Sequence, residues 1–226
     1  MRLNLIKIFF IILFALYQTT AYSQKLDKNK FNQRYLSNYF SALISYDNQN
    51  NEDALKQASD IDARLAKGEE VGKLAGIPIG VKDLEDAKGF VTTYGSALHV
   101  DDEPAEEDSV LVSRLRKAGC VILGKTNTPE FGAGSNTFNE VFGITANPWN
   151  IAYTAGGSSG GTASALAAGA AWLGTGSDLG GSLRNPASFC GVVGLRPTIG
   201  TVAHGPTNLP FNDLSVDGPM ARNVED

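Results

Sequence analysis

The chain has 226 residues, 42% of them hydrophobic and 19% charged, with a formal net charge of -5. That balance belongs to a globular chain and excludes a disordered one. No stripe of lysine and arginine is present, which excludes a nucleic-acid surface, and His99, His204, Cys120 and Cys190 lack the spacing of a zinc site.

Residues 1–23 read as a signal peptide. Arg2 and Lys7 give a positive start, Ile8 to Tyr17 is an uncharged apolar run, and Ala21-Tyr22-Ser23 offers small residues for cleavage before Gln24. The run is short for a membrane span. The expectation is export, periplasmic or secreted, with no stable membrane span after cleavage. Losing Arg2 and Lys7 leaves the mature chain more acidic. Export permits a disulfide, but spacing alone leaves open whether Cys120 and Cys190 are paired or are two small core residues.

Residues 24–51 read as a helical lead-in. Phe31, Tyr35, Leu36, Tyr39, Phe40 and Leu43 recur at three- and four-residue spacing, and Asn48 to Asn51 breaks the pattern. A second helix is expected from Glu52 to Ala66, with Leu55, Ala58, Ile61 and Leu65 on its apolar face and Gly68 as its stop. Leu74 to Val81 reads as a buried strand ending on Lys82-Asp83. A lysine there is either a snorkelling surface residue or a half-buried one whose pKa falls, making it a usable base.

Asp86 to Glu107 is loop-like and acidic at its end. A helix follows Asp108-Ser109 through Lys117, and Cys120 to Leu123 is a strand. Gly124 to Trp149 is rich in Asn, Thr, Gly and Pro and reads as a long irregular segment. A close-packed helix is expected over Ser159 to Gly169, a strand over Ala171 to Thr175, a short helix over Ser182 to Phe189 and a strand over Gly191 to Leu195. Thr198 to Asp226 reads as loop. Helix, glycine, strand and loop in alternation is the rhythm of an α/β fold.

The chemistry concentrates in two glycine–serine clusters, Gly156-Gly157-Ser158-Ser159-Gly160-Gly161 and Gly176-Ser177-Asp178-Leu179-Gly180-Gly181-Ser182-Leu183-Arg184. Glycine allows close backbone approach, and serine brings a hydroxyl able to attack. The first cluster lacks the lysine-threonine pair of a phosphate-binding loop. It matches G-x-S-x-G around Ser159, which would need Asp178 or Asp213 and His204 as partners, though Pro148 to Ala155 makes a poor strand before it. A third arrangement needs no histidine: a neutral lysine activates a serine, directly or through a second hydroxyl.

These motifs resemble the amidase signature. The resemblance rests on both clusters and on Asn185-Pro186-Ala187, Gly191-Val192-Val193-Gly194-Leu195-Arg196-Pro197-Thr198, Gly76-Ile77-Pro78-Ile79-Gly80-Val81-Lys82-Asp83, Gly124-Lys125-Thr126-Asn127-Thr128-Pro129-Glu130-Phe131 and Asn147-Pro148-Trp149-Asn150. It covers residues 52–226. It implies a mixed central β-sheet flanked by helices and a Ser–cis-Ser–Lys triad: Lys82 the base, Ser158 the bridging serine after a cis bond, Ser182 the nucleophile. The N–H groups of Leu179, Gly180, Gly181 and Ser182 would form the oxyanion hole, with Ser159, Asp178 and Arg184 in support. The implied activity is hydrolysis of a small-molecule amide through an acyl-enzyme, with no cofactor and no metal. A Ser159–His204 hydrolase and a non-catalytic binding remnant are the alternatives, and homodimerisation stays open. The family's domain runs about twice as long as residues 52–226, so the expectation is an N-terminal portion whose C-terminal half is missing.

Overall fold

A computed structural model of the chain describes residues 48–226 apart from 208, 210 and 211, with side chains from residue 52 onward. The expected signal peptide and the helix of the lead-in lie outside the described residues. Helix α1 (Asn48–Ala66) begins within the asparagine run that was expected to end the lead-in helix, four residues before its expected start at Glu52. Asparagine is well suited to a helix start. The buried face of α1 is Ala54, Ala58 and Ile61, packed against Val71 and Val121, while Leu55 and Leu65 are exposed. The buried face is therefore rotated from the expected one, with Ala54 in place of Leu55 and Leu65.

Strand β1 (Pro78–Lys82) and strand β2 (Val121–Thr126) pair in parallel, and helix α2 (Val110–Lys117) lies between them in sequence. The Ser109 hydroxyl caps α2 by accepting from the Val112 amide. A crossover of this kind buries both faces of the strands, and every residue of β1 is buried. Its alternation sends Ile79 and Val81 into a cluster with Ala87, Phe90, Val112, Cys120 and Ile122. Gly80 and Lys82 therefore face the opposite layer.

That layer is built by helix α3 (Gly160–Ala167) and helix α4 (Arg184–Cys190). Between β2 and α3 run a 3-10 turn at Glu130–Gly132 and four short strands: β3 (Phe138–Asn139), β4 (Gly143–Ile144), β5 (Ala146–Asn147) and β6 (Asn150–Thr154). They form two small antiparallel ladders, so the segment expected to be irregular, and the poor strand before Ser159, carry local pairing. Strand β7 (Leu173–Asp178) joins β1 in parallel, and β9 (Val216–Ala221) and β8 (Val193–Gly194) complete the five-stranded sheet in the order β2-β1-β7-β9-β8. β9 runs antiparallel to both its neighbours, so the sheet is mixed.

β9 falls where loop was expected, because Gly218-Pro219 inside it reads as a turn signal. Pro219 is accommodated with its carbonyl accepting from the Leu195 amide. The core on this side joins Ala163, Leu166, Leu183, Ala187, Cys190 and Met220. Cys120 and Cys190 are both free and buried, in different clusters. α3 lies so near the end of β2 that a Cβ on Gly161 would meet the Asn127 amide nitrogen at 2.2 Å. That contact sets the height of the α3 N-terminus over the sheet.

Candidate active site

Lys82 ends β1 and is only 1% exposed. Its amide donates to Thr175 Oγ1 across to β7 at 2.8 Å, which fixes the strand end. Its Nζ lies 2.7 Å from Ser158 Oγ, 3.0 Å from Ser159 Oγ and 2.9 Å from Ser177 Oγ. Burial drives its pKa down to about 7, against the opposing pull of the Asp217, Glu85 and Asp178 carboxylates. Desolvation wins because a charged ammonium loses far more hydration than three hydroxyls return.

The hydroxyls sort themselves by their other bonds. Ser159 Oγ donates to the Ser177 carbonyl at 3.3 Å and accepts the Ser177 amide at 3.3 Å. Its proton is committed, so toward Lys82 it acts as an acceptor. A neutral amine has two N–H donors and one lone pair. Donating to Ser159 and Ser177 leaves the lone pair for Ser158. The Gly157–Ser158 peptide bond is cis, and Ser158 is 2% exposed.

Ser182 sits in the turn between β7 and α4. Its carbonyl accepts the Ser159 amide at 3.2 Å, so the two clusters meet at backbone level. No hydrogen bond joins the Ser182 and Ser158 side chains among the described residues. Asp178 folds this turn. It is fully buried and accepts from the Gly181 amide at 2.7 Å, the Leu183 amide at 3.2 Å and Arg184 Nε at 3.0 Å. Arg196 also reaches the Asp178 carboxylate at 3.0 Å and donates to its carbonyl. Burial pushes the Asp178 carboxyl up, but the Arg184 hydrogen bond and the two amides outweigh it and hold the group well below the usual carboxylate range.

One expectation needs correction. The Gly181 N–H is given to Asp178, so it is not free for an oxyanion. The amides open to a ligand in this turn are those of Leu179, Gly180 and Ser182. Four residues at the site escaped the sequence reading: Ser177, Arg196, Glu85 and Asp217. Ser177 sat inside the second cluster, but its contact with Lys82 depends on the pairing of β1 with β7, which no local pattern reports.

The alternative triad around Ser159 is not assembled. Ser159 is fully buried on Lys82 and β7, whereas His204 Nδ1 donates to Asp217 Oδ2 at 2.5 Å. Asp213 is exposed. His99 binds Asp102 at 2.8 Å and packs edge-on against Tyr94 and Phe131, a surface role. Phe131 and Trp149 are 51% and 72% exposed.

Glu85, His204 and Asp217 are the one group among the described residues whose donor atoms could converge on a metal, all within 4.8 Å of one another. The 2.5 Å between His204 and Asp217 is a hydrogen bond. Two ligands of one tetrahedral zinc stand roughly 3.3 Å apart at ordinary bond lengths, so the pair is closed on itself.

A buried lysine bonded to serines of both clusters, beside a turn with exposed backbone, has the parts that acyl transfer to a serine requires. Residues 35–226 match the family model described as Amidase. The chain belongs to the amidase signature family. It is 50% identical over 175 residues to a glutamyl-tRNA(Gln) amidotransferase subunit from Cyanothece sp., covering 77% of this chain and 36% of that protein. Among solved structures it is similar to a bacterial aryl acylamidase of the amidase signature family, at 35% identity and a TM-score of 0.72, over 77% of this chain and 36% of that one. It is also similar to an amidase at 34% identity and a TM-score of 0.74, over 94% and 48% respectively. The chain thus spans about a third of the length of its amidotransferase relatives.

Proposed function

We propose that the protein hydrolyses carboxamides of small molecules through an acyl-enzyme on Ser182, with Ser158 and Lys82 as the proton relay. The observation that carries this is the 2.7 Å approach of a desolvated Lys82 Nζ to Ser158 Oγ. The relay requires the Ser182 hydroxyl to donate to Ser158 in the substrate complex, where catalytic hydrogen bonds tighten. The Ser182 proton then passes to Ser158 as the Ser158 proton passes to Lys82. Ser182 Oγ attacks the amide carbonyl, and the Leu179, Gly180 and Ser182 amides take the oxyanion. The relay runs backward to protonate the leaving nitrogen, and ammonia or an amine departs. Water repeats the sequence on the ester and frees the acid.

The mechanism requires neutral Lys82. Ammonia release from a panel of aliphatic and aryl carboxamides should therefore rise with pH through about 7, and flatten above it. A rate that falls across that range would defeat the assignment of Lys82 as base.

Small-molecule amides are favoured over an aminoacyl-tRNA. Solved relatives include an aryl acylamidase and a 6-aminohexanoate cyclic dimer hydrolase. The leader-like residues 1–23 support export, away from the translation machinery. N-terminal sequencing of protein recovered outside the cytoplasm should begin at Gln24; an intact Met1 start would remove this support. Among the described residues no helix is long and apolar enough to cross a membrane.

A further inference from the structure

Lys82 is surrounded by carboxylates, and each lies near a second cation. Asp178, at the end of β7, is held by Arg184 and Arg196. Asp83, beside Lys82, pairs with Lys125 of β2 at 3.2 Å. Asp217, on β9, pairs with His204 at 2.5 Å. Glu85, after β1, stands 4.0 Å from the same imidazole. Asp86 acts further out, on Lys125. Among these cations, histidine has an unperturbed charge that changes nearest neutral pH.

The sheet register ties Asp217 to the site. Asp217 lies directly opposite Ser177 in the antiparallel ladder. Residues so paired point to the same face, and the Ser177 hydroxyl is bonded to Lys82 Nζ. Asp217 is 2% exposed, so its charge is poorly screened by water. His204, by contrast, has its side chain half exposed and can exchange protons with solvent.

We infer that His204 and Asp217 form a positioning pair that sets the charge of Lys82: His204 neutralises Asp217, which releases Lys82 to lose its proton. The inference rests on the reading of Lys82 as the base. Asp217 is the largest of the charges that oppose the desolvation of Lys82. Burial lowers the His204 pKa, but the hydrogen bond and charge of Asp217, with the charge of Glu85, more than reverse this and raise it. Glu85 itself is pushed up to about 7 by burial and then by Asp217, so near neutrality it contributes only part of a charge. The hydrogen bond to Asp217 thus favours an imidazolium beside that carboxylate. A bare Asp217 would instead favour the proton on Lys82.

The two halves of the pair act in opposite directions, which separates this role from a merely structural one. The test is the titration of the Lys82 ε-carbon by NMR in protein carrying ¹³C-lysine, with the signal assigned by its loss in Lys82→Met. His204→Gln should raise the Lys82 midpoint, by about one unit or more, the scale of a buried charge at close range. Asp217→Asn should lower it. The double variant should follow Asp217→Asn, because His204 acts through Asp217. The measurement needs no substrate. If the midpoints move as stated while no amide is hydrolysed, the hydrolase reading fails and the pair stands. If amides are hydrolysed while neither single variant moves Lys82, or both move it the same way, the inference is overturned.

Discussion

Lys82→Met and Ser182→Ala are each expected to slow acylation by a fluorophosphonate probe by about 10⁴-fold or more, the scale on which nucleophile or base losses register in serine hydrolases. Ser158→Ala should approach the same loss, because Lys82 Nζ meets Ser158 at 2.7 Å while no direct bond joins Lys82 to Ser182 among the described residues. The three losses should not add, since the groups act as one unit. Ser159→Ala should cost far less, because its proton is committed to the Ser177 carbonyl. His204→Gln should label fully once the pH is well above the Lys82 midpoint. A Ser159–His204 hydrolase demands the opposite order, with His204 indispensable and Lys82 dispensable. Lys82→Met also removes a hydrogen-bond partner from Ser158, Ser159 and Ser177, so retention of the fold is checked by circular dichroism on the same sample.

Asp83→Ala should destabilise the protein by about 3–5 kcal/mol, the usual result of removing one partner of a buried pair. Asp83 and Lys125 are both completely buried, 3.2 Å apart. Thr93 donates to Asp83 through its amide and its hydroxyl, and Lys125 also reaches the Glu85 carbonyl at 2.6 Å and Thr92 Oγ1 at 2.9 Å. The pair therefore staples the loop after β1 to β2, directly behind Lys82. Burial lowers the Lys125 pKa, and the Asp83 carboxylate opposes that shift. Without Asp83 the ammonium is disfavoured further. Asp83→Leu with Lys125→Met together should recover much of the loss, since no charge is then buried. Urea denaturation midpoints measure this. A single Asp83→Ala within about 1 kcal/mol of native, the range of an exposed pair, would show that the staple contributes little.

The helices and most of the sheet were legible because their residues alternate or recur in ways that local burial imposes. α2 and α3 begin one residue after the serines expected to start them, Ser109 and Ser159. Strand β7 was harder to read. Its expected end at Thr175 stops short of Asp178 because Gly176 looks like a turn. In the fold Gly176 is a strand residue over which Leu183 packs, with a would-be Cβ only 2.5 Å from Leu183 Cδ2. β9 was missed for a similar reason, its Gly218-Pro219 lying inside a ladder that pairs β7 from Leu173 to Asp178.

The site shows the same division. Lys82, Ser158 and Ser182 stand in motifs that resemble a family pattern, so they were legible as types. Their electrostatic setting was not. Asp217 reaches Lys82 only through the register of β9 on β7, and Arg196 reaches Asp178 only when the chain returns after α4. Long-range pairing decides those contacts, and local sequence carries no record of it. The Gly181 amide shows the limit of motif reasoning in the other direction: its place in the motif suggested an oxyanion donor, and a buried carboxylate three residues earlier takes it.

The central claim is that Ser182 is the nucleophile activated through Ser158 by a neutral Lys82. Peptide mapping of the fluorophosphonate adduct by mass spectrometry, on native protein and on Lys82→Met, tests it most directly. The account predicts one adduct, on Ser182, formed faster as pH rises through about 7 and absent in Lys82→Met. An adduct on Ser159, or one on Ser182 that forms equally well without Lys82, would contradict it.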